Sequence, residues 1–193
     1  LDKLKAAFAK TQRKNTLVFD LQEAIEKKLE QMLKENPLRL EFYDRYKEII
    51  DEYNKGKSLE DTVKAFNDLA TFTQNLTVED SRAIRENLTE ETLAIYDLLR
   101  EGKKLTTEEI KEVKKVAVET LQKLKEEKLK IERWRESRQI SSQVKQMIND
   151  YLLNLPMTVY SDDDVNTKTV SVFQHIYTNY PGGNQSAYMR ATA

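Results

Sequence analysis

The sequence contains no cysteine, so neither a disulfide framework nor a thiolate metal site can be built from it. It contains a single histidine, which puts the common zinc ligand sets out of reach. Glycine and proline are scarce, at four and three of 193 residues, and this scarcity favours an α-rich chain. Gly56, Gly102, Gly182 and Gly183 stand in no glycine-rich loop followed by Lys-Ser or Lys-Thr, which excludes a phosphate-binding loop. No apolar run approaches the length of a membrane span, and no signal-peptide pattern opens the sequence. A cytoplasmic protein is expected. No internal repeat of fixed period is present. Leu1 opens in mid-helical pattern, so the chain is expected to be a piece of a larger protein.

What the chain has in abundance is charge, 34% of residues, almost balanced at a formal net −1. The balance is uneven along the sequence. Residues 1–102 hold 17 Lys and Arg against 21 Asp and Glu, residues 103–138 hold 12 against 8, and residues 139–193 hold 3 against 4. A basic middle segment hints at an anionic partner. A solvated helix with i,i+4 Lys–Glu pairs produces the same composition.

The longest helical pattern runs from Thr107 to about Arg138. Ile110, Val113, Val116, Ala117, Leu121, Leu124, Ile131 and Trp134 recur mostly at steps of three and four. Thr106 and Glu109 form a capping box at its start, with Leu105 and Ile110 as a hydrophobic staple. Upstream, Leu1, Leu4 and Phe8 share one face. Leu17, Leu21, Ile25, Leu29, Met32 and Leu33 mark a second helix, ended by Asn36-Pro37. A third, over about 38–54, carries Phe42, Tyr46, Ile49 and Tyr53 and stops at Lys55-Gly56-Lys57, with Gly56 free to turn left-handed. Ser58 caps the next, which buries Leu59, Val63, Phe66 and Leu69 and ends near Gln74-Asn75. Thr77 begins a short helix and Thr89 another, closed by Gly102. After Arg138 the pattern continues or restarts, with Ser141 or Ser142 as a cap after a kink, and Pro156 closes it. Ser161 followed by Asp162, Asp163 and Asp164 is a strong helix start. Residues 162–180 read as helix, with a strand as the alternative because β-branched residues are frequent. The expectation is a mainly α multi-helix bundle with one long central helix and a small C-terminal helical lobe. The expected divisions are a helical region 1–102, the long helix with its C-terminal lobe 103–180, and a flexible tail 181–193.

No constellation for catalysis emerges. His175 lies beside apolar positions with no obvious Ser or Asp partner, and reads as a packed or surface histidine. Asp162–Asp164 fit a cap better than a cation site, since consecutive carboxylates point different ways on a helix. The chain alone is expected to catalyse nothing and to hold no metal or cofactor. The candidate binding surface is the cluster Lys125, Lys128, Lys130, Arg133, Arg135 and Arg138 around Trp134. Such cations can neutralise phosphates, and they equally complement the negative end of a helix. Trp134 continues an apolar stripe and reads as core. Lys128 falls where a heptad wants an apolar residue, which counts against a simple coiled coil.

Three blocks, taken in order, resemble the C-terminal region of the restriction (R) subunit of type I restriction-modification enzymes. They are LTEETLAIYDLL (88–99), the stretch 110–156 ending at Leu-Pro, and VSVFQHIYTNY (170–180). In the second block Ala117, Leu121, Leu124, Trp134, Arg135 and Pro156 fall where the family's pattern wants them. In the third, Phe173 stands in place of a Tyr. The resemblance covers roughly half the chain. It implies a subunit that, when whole, carries a nuclease domain and two ATPase motor domains, translocates duplex DNA with ATP and magnesium, and cleaves it. It also implies docking on a methyltransferase core of modification and specificity subunits, which this helical portion would perform, with possible duplex-DNA contact. The rival readings are a direct duplex-DNA-binding module and a helical scaffold unrelated to restriction.

Overall fold

The computed structural model describes residues 2–56 and 58–192. Leu1, Lys57 and Ala193, together with the side chains of Asp2, Leu4, Arg190, Ala191 and Thr192, lie outside the described residues. The chain is 78% helical, and no strand occurs among the described residues. It divides into two compact units, residues 1–86 and 87–193, so the expected division at Gly102 falls inside the second unit.

The first unit holds α1 (Asp2–Lys10), α2 (Lys14–Glu35), α3 (Leu40–Lys55), α4 (Leu59–Asp80) and α5 (Arg82–Arg85). α4 packs against both α2 and α3. Its Phe66, Leu69, Phe72 and Leu76 meet Phe8, Leu21, Ile25, Leu29 and Tyr46 in one apolar core. Three expectations need correction. Leu59 is 66% exposed, because the buried face begins at Thr62. α4 does not end at Gln74-Asn75. Leu76 extends the buried stripe one turn beyond Phe72, and the Thr77 hydroxyl donates back to the Thr73 carbonyl instead of starting a new helix. Gly56 is extended, at φ −84°; it is small because an added Cβ would collide with the Asp61 side chain that completes the capping box with Ser58. Sequence reading also passed over Arg39. This residue is buried, with its Nε donating to Glu79 Oε1 at 3.0 Å and its guanidinium 3.6 Å from Glu35.

The second unit holds α6 (Glu90–Arg100), α7 (Thr107–Glu127), α8 (Arg138–Leu152) and α9 (Asp162–Asn179). α6 packs on α7 and α9, and α8 packs on α7 and α9. Capping boxes open three of these helices: Thr89 with Thr92, Thr106 with Glu109, and Ser161 with Asp164. Lys168 is buried and donates to the Glu101 carbonyl at the end of α6, at 2.9 Å. Burial pulls its ammonium pKa down, against the pull of Glu101. Lys103 pairs with Asp164 at 2.7 Å, and this hydrogen bond, joined by those from Ser161, holds the carboxyl well below the usual range.

The long central helix is the main correction. α7 spans 21 residues, no longer than α2 or α4 at 22 each, and stops at Glu127. Residues 128–133 form turns, Trp134–Glu136 a 3-10 turn, and Ser137, not Ser141 or Ser142, caps α8. Arg133 is left-handed, at φ 54°. The cause is burial: Leu129 and Trp134 are both in the core, and a separation of five does not fit one helical face. The strand alternative for 162–180 also falls. Val165, Thr169, Val172 and Ile176 are buried at helical spacing, and β propensity yields to that packing.

Candidate interaction surface around Trp134

The Leu129–Arg138 turn lies against the end of α9. Trp134 is fully buried, with its ring edge-on to Phe173 and Tyr177 at centroid distances of 6.4 and 5.6 Å. Its Nε1–H donates to the Tyr180 carbonyl at 2.8 Å. Arg135 Nη2 donates to the Thr178 carbonyl at 3.1 Å, and its guanidinium lies over the Tyr177 ring at 5.4 Å. Burial lowers the Arg135 pKa. Two carbonyls at the C-terminal end of α9, which have no partner within the helix, are therefore satisfied by a Trp-Arg pair. Gly182 follows at φ +113°; a Cβ there would come 3.1 Å from Trp134 Cδ1 and collide with the Ile131 carbonyl oxygen.

The six candidate cations share a neighbourhood in sequence but differ in fate. Lys125 pairs with Glu91 and lies over the Tyr180 ring at 5.8 Å. Glu91 also accepts from the Ser186 hydroxyl at 3.1 Å. Arg133 is exposed and tied to Glu136 at 2.6 Å, a hydrogen-bonded pair that raises its pKa. Arg135 is folded inward as described. Lys128 donates to the Gln143 amide oxygen at 3.0 Å and has no ion-pair partner among the described residues. Lys130 and Arg138 are exposed, and neither has an ion-pair partner among the described residues. The structure thus spends Lys125, Arg133 and Arg135 internally.

His175 is buried beneath the same region. Asn179 Nδ2 donates to the His175 carbonyl at 3.0 Å, which fixes the amide orientation and makes ring Nδ1, at 3.2 Å, an acceptor. Nε2 therefore carries the proton and faces the Tyr188 hydroxyl at 3.0 Å. Burial pushes the His175 pKa down to about 4, so the ring is neutral near pH 7. Among the described residues no group of three His, Asp or Glu side chains could hold a metal ion.

Sequence reading passed over a groove of about 390 Å³ between α8 and α9, lined by Ser142, Lys145, Gln146, Asn149, Asn166 and Thr169. The signal for it was an absence: residues 137–149 and 165–193 contain no carboxylate.

The three sequence blocks also converge in space. Glu91 of the first meets Lys125 of the second, and Trp134 and Arg135 of the second close on Phe173, Tyr177, Thr178 and Tyr180 of the third. A family model described as "Type I restriction enzyme HindI endonuclease subunit-like, C-terminal" matches residues 2–180. The chain belongs to that family. Searches of curated proteins and of solved structures gave no match. Membership of the type I restriction subunit family gives the convergent blocks a shared context, and the match extends through α1–α5, which none of the blocks covered. No helix among the described residues is long and apolar enough to cross a membrane.

Proposed function

We propose that this chain is the C-terminal assembly module of a type I restriction endonuclease subunit, docking that subunit on its modification and specificity partners in the cytoplasm. The observation that carries this reading is the family match over residues 2–180, which takes in the helices of both units. The internal use of Lys125, Arg133 and Arg135 supports it over the reading in which the whole basic cluster grips DNA. On this reading the nuclease and the ATP- and magnesium-dependent translocation belong to other parts of the subunit, and this chain has no catalytic role. DNA contact is secondary and made by the cations that remain uncompensated.

The test is a titration of the chain against a purified modification–specificity core without DNA, read by sedimentation or calorimetry. Saturable binding, and competition with the intact restriction subunit, are expected. A chain that neither binds the core nor competes ends the docking reading.

A further inference from the structure

We propose that the α8–α9 face of the second unit lies along the phosphate backbone of duplex DNA. This deepens the secondary DNA contact suggested above and rests on the reading that the chain works beside DNA. The chain carries 33 carboxylates in 193 residues, yet none lies between Glu136 and Asp150 or after Asp164. Those stretches supply α8 as far as Asn149 and α9 from Val165 onward, and the two helices pack on each other. The sequence gap is thereby turned into one continuous surface. On α7, by contrast, exposed lysines are neutralised in place, as in Lys111–Glu108 at 3.0 Å and Lys123–Glu126 at 2.8 Å. The first turns of α4, α6, α7 and α9 each carry two or three carboxylates; the first turn of α8 carries none and begins with Arg138.

Arg138 and Lys145 are exposed seven residues apart, two turns along α8 and so about 10 Å along its axis on one side. Neither has a carboxylate partner among the described residues. Lys128 meets Gln143, which is two residues from Lys145 and so on the other flank of α8, outside this face. Beside Lys145 the groove offers hydroxyls and amides from Ser142, Asn149, Asn166 and Thr169, the neutral groups that complement phosphate oxygens and sugars. The face ends at Asp150, which accepts from Gln146 at 2.7 Å, and at the acidic start of α9, Asp162 and Asp163. These would repel phosphate and so set one boundary of the contact. A protein partner fits less well, because interface centres are rich in aromatic and large apolar side chains, and Val170 is the apolar residue lining this groove. The contact is sequence-independent, made by two cations and the neutral groups beside them rather than by base readout.

The test is fluorescence anisotropy of a labelled DNA duplex titrated with the whole chain across a salt series. Binding should weaken with salt at a log–log slope of about −2, since each neutralised phosphate contributes about −0.9. Arg138→Glu with Lys145→Glu should lower affinity at low salt by about tenfold or more and bring the slope to about zero. Arg133→Glu, whose wild-type side chain is spent on Glu136, should leave both unchanged. Circular dichroism and a melting curve check that each variant is folded. The proposal is overturned by absence of binding at the lowest salt, by a salt-independent affinity, or by an equal loss in Arg133→Glu. Binding to the methyltransferase core without DNA should survive the double reversal. Loss of core binding in that variant identifies the face as a protein interface and also overturns the proposal, whereas absence of core binding by the unmodified chain is a failure of the docking reading alone.

Discussion

Trp134 fills the core with its ring and closes the end of α9 with its Nε1–H. Removing both contributions at once, Trp134→Ala should destabilise the second unit by about 3–5 kcal/mol in urea titrations. Trp134→Phe keeps much of the apolar contact but orphans the Tyr180 carbonyl, and should cost about 1–3 kcal/mol. Its burial was legible from the apolar periodicity, although the single helix that the periodicity implied was not there. Arg135 was not legible in this role, because its acceptor lies 43 residues away. His175 supplies a pH prediction. Its folded pKa, about 4, lies below the ordinary 6.5, so the folded state favours the neutral ring. The stability this contributes is present above pH 6.5 and is lost as pH falls towards 4, up to about 3 kcal/mol in all. As the chain's only histidine, its ring protons can be followed by NMR without assignment. A titration midpoint near 6.5 in the folded protein would contradict the buried neutral ring.

At the scale of elements, the caps were the most legible features, because a capping box is closed within four residues. Thr106 with Glu109 and Ser161 with Asp164 form as the sequence implied. Thr106→Ala should cost about 1 kcal/mol, read by thermal melting. The ends of α2 and α3 fell where Asn36-Pro37 and Lys55-Gly56 implied, but those of α4 and α7 were misplaced. Thr77 has the residue type of a cap, yet α4 continues through it to Asp80 because Leu76 is buried. Val78 tests this directly. It is 55% exposed, so its side chain contributes little packing. Proline at this position would be tolerated at the first position of a helix capped by Thr77. In a continuous α4 it should cost about 3 kcal/mol or more and lower helicity by circular dichroism. The opposite error occurred between Glu127 and Arg138, where a single helix was expected and the chain turns. A helix there would have been locally acceptable, but it could not bury Leu129 and Trp134 together.

For the whole molecule, family membership is shown over residues 2–180, and the assembly role proposed from it predicts binding to the modification–specificity core. The sequence by itself determined the helical class, the helix starts capped by Ser58, Thr89, Thr106 and Ser161, the burial of Trp134 and the family. All of these depend on composition, on short spacings or on block order, which the linear chain already contains. Tertiary structure alone decided which cations remain available. Lys125 finds Glu91, and Arg135 finds the end of α9, across separations of 34 and 43 residues. Charge counted along a sequence cannot distinguish a cation that binds a partner from one that closes the fold, because the compensating group is brought to it only by packing. The same packing sets the carboxylate-free stretches of α8 and α9 side by side.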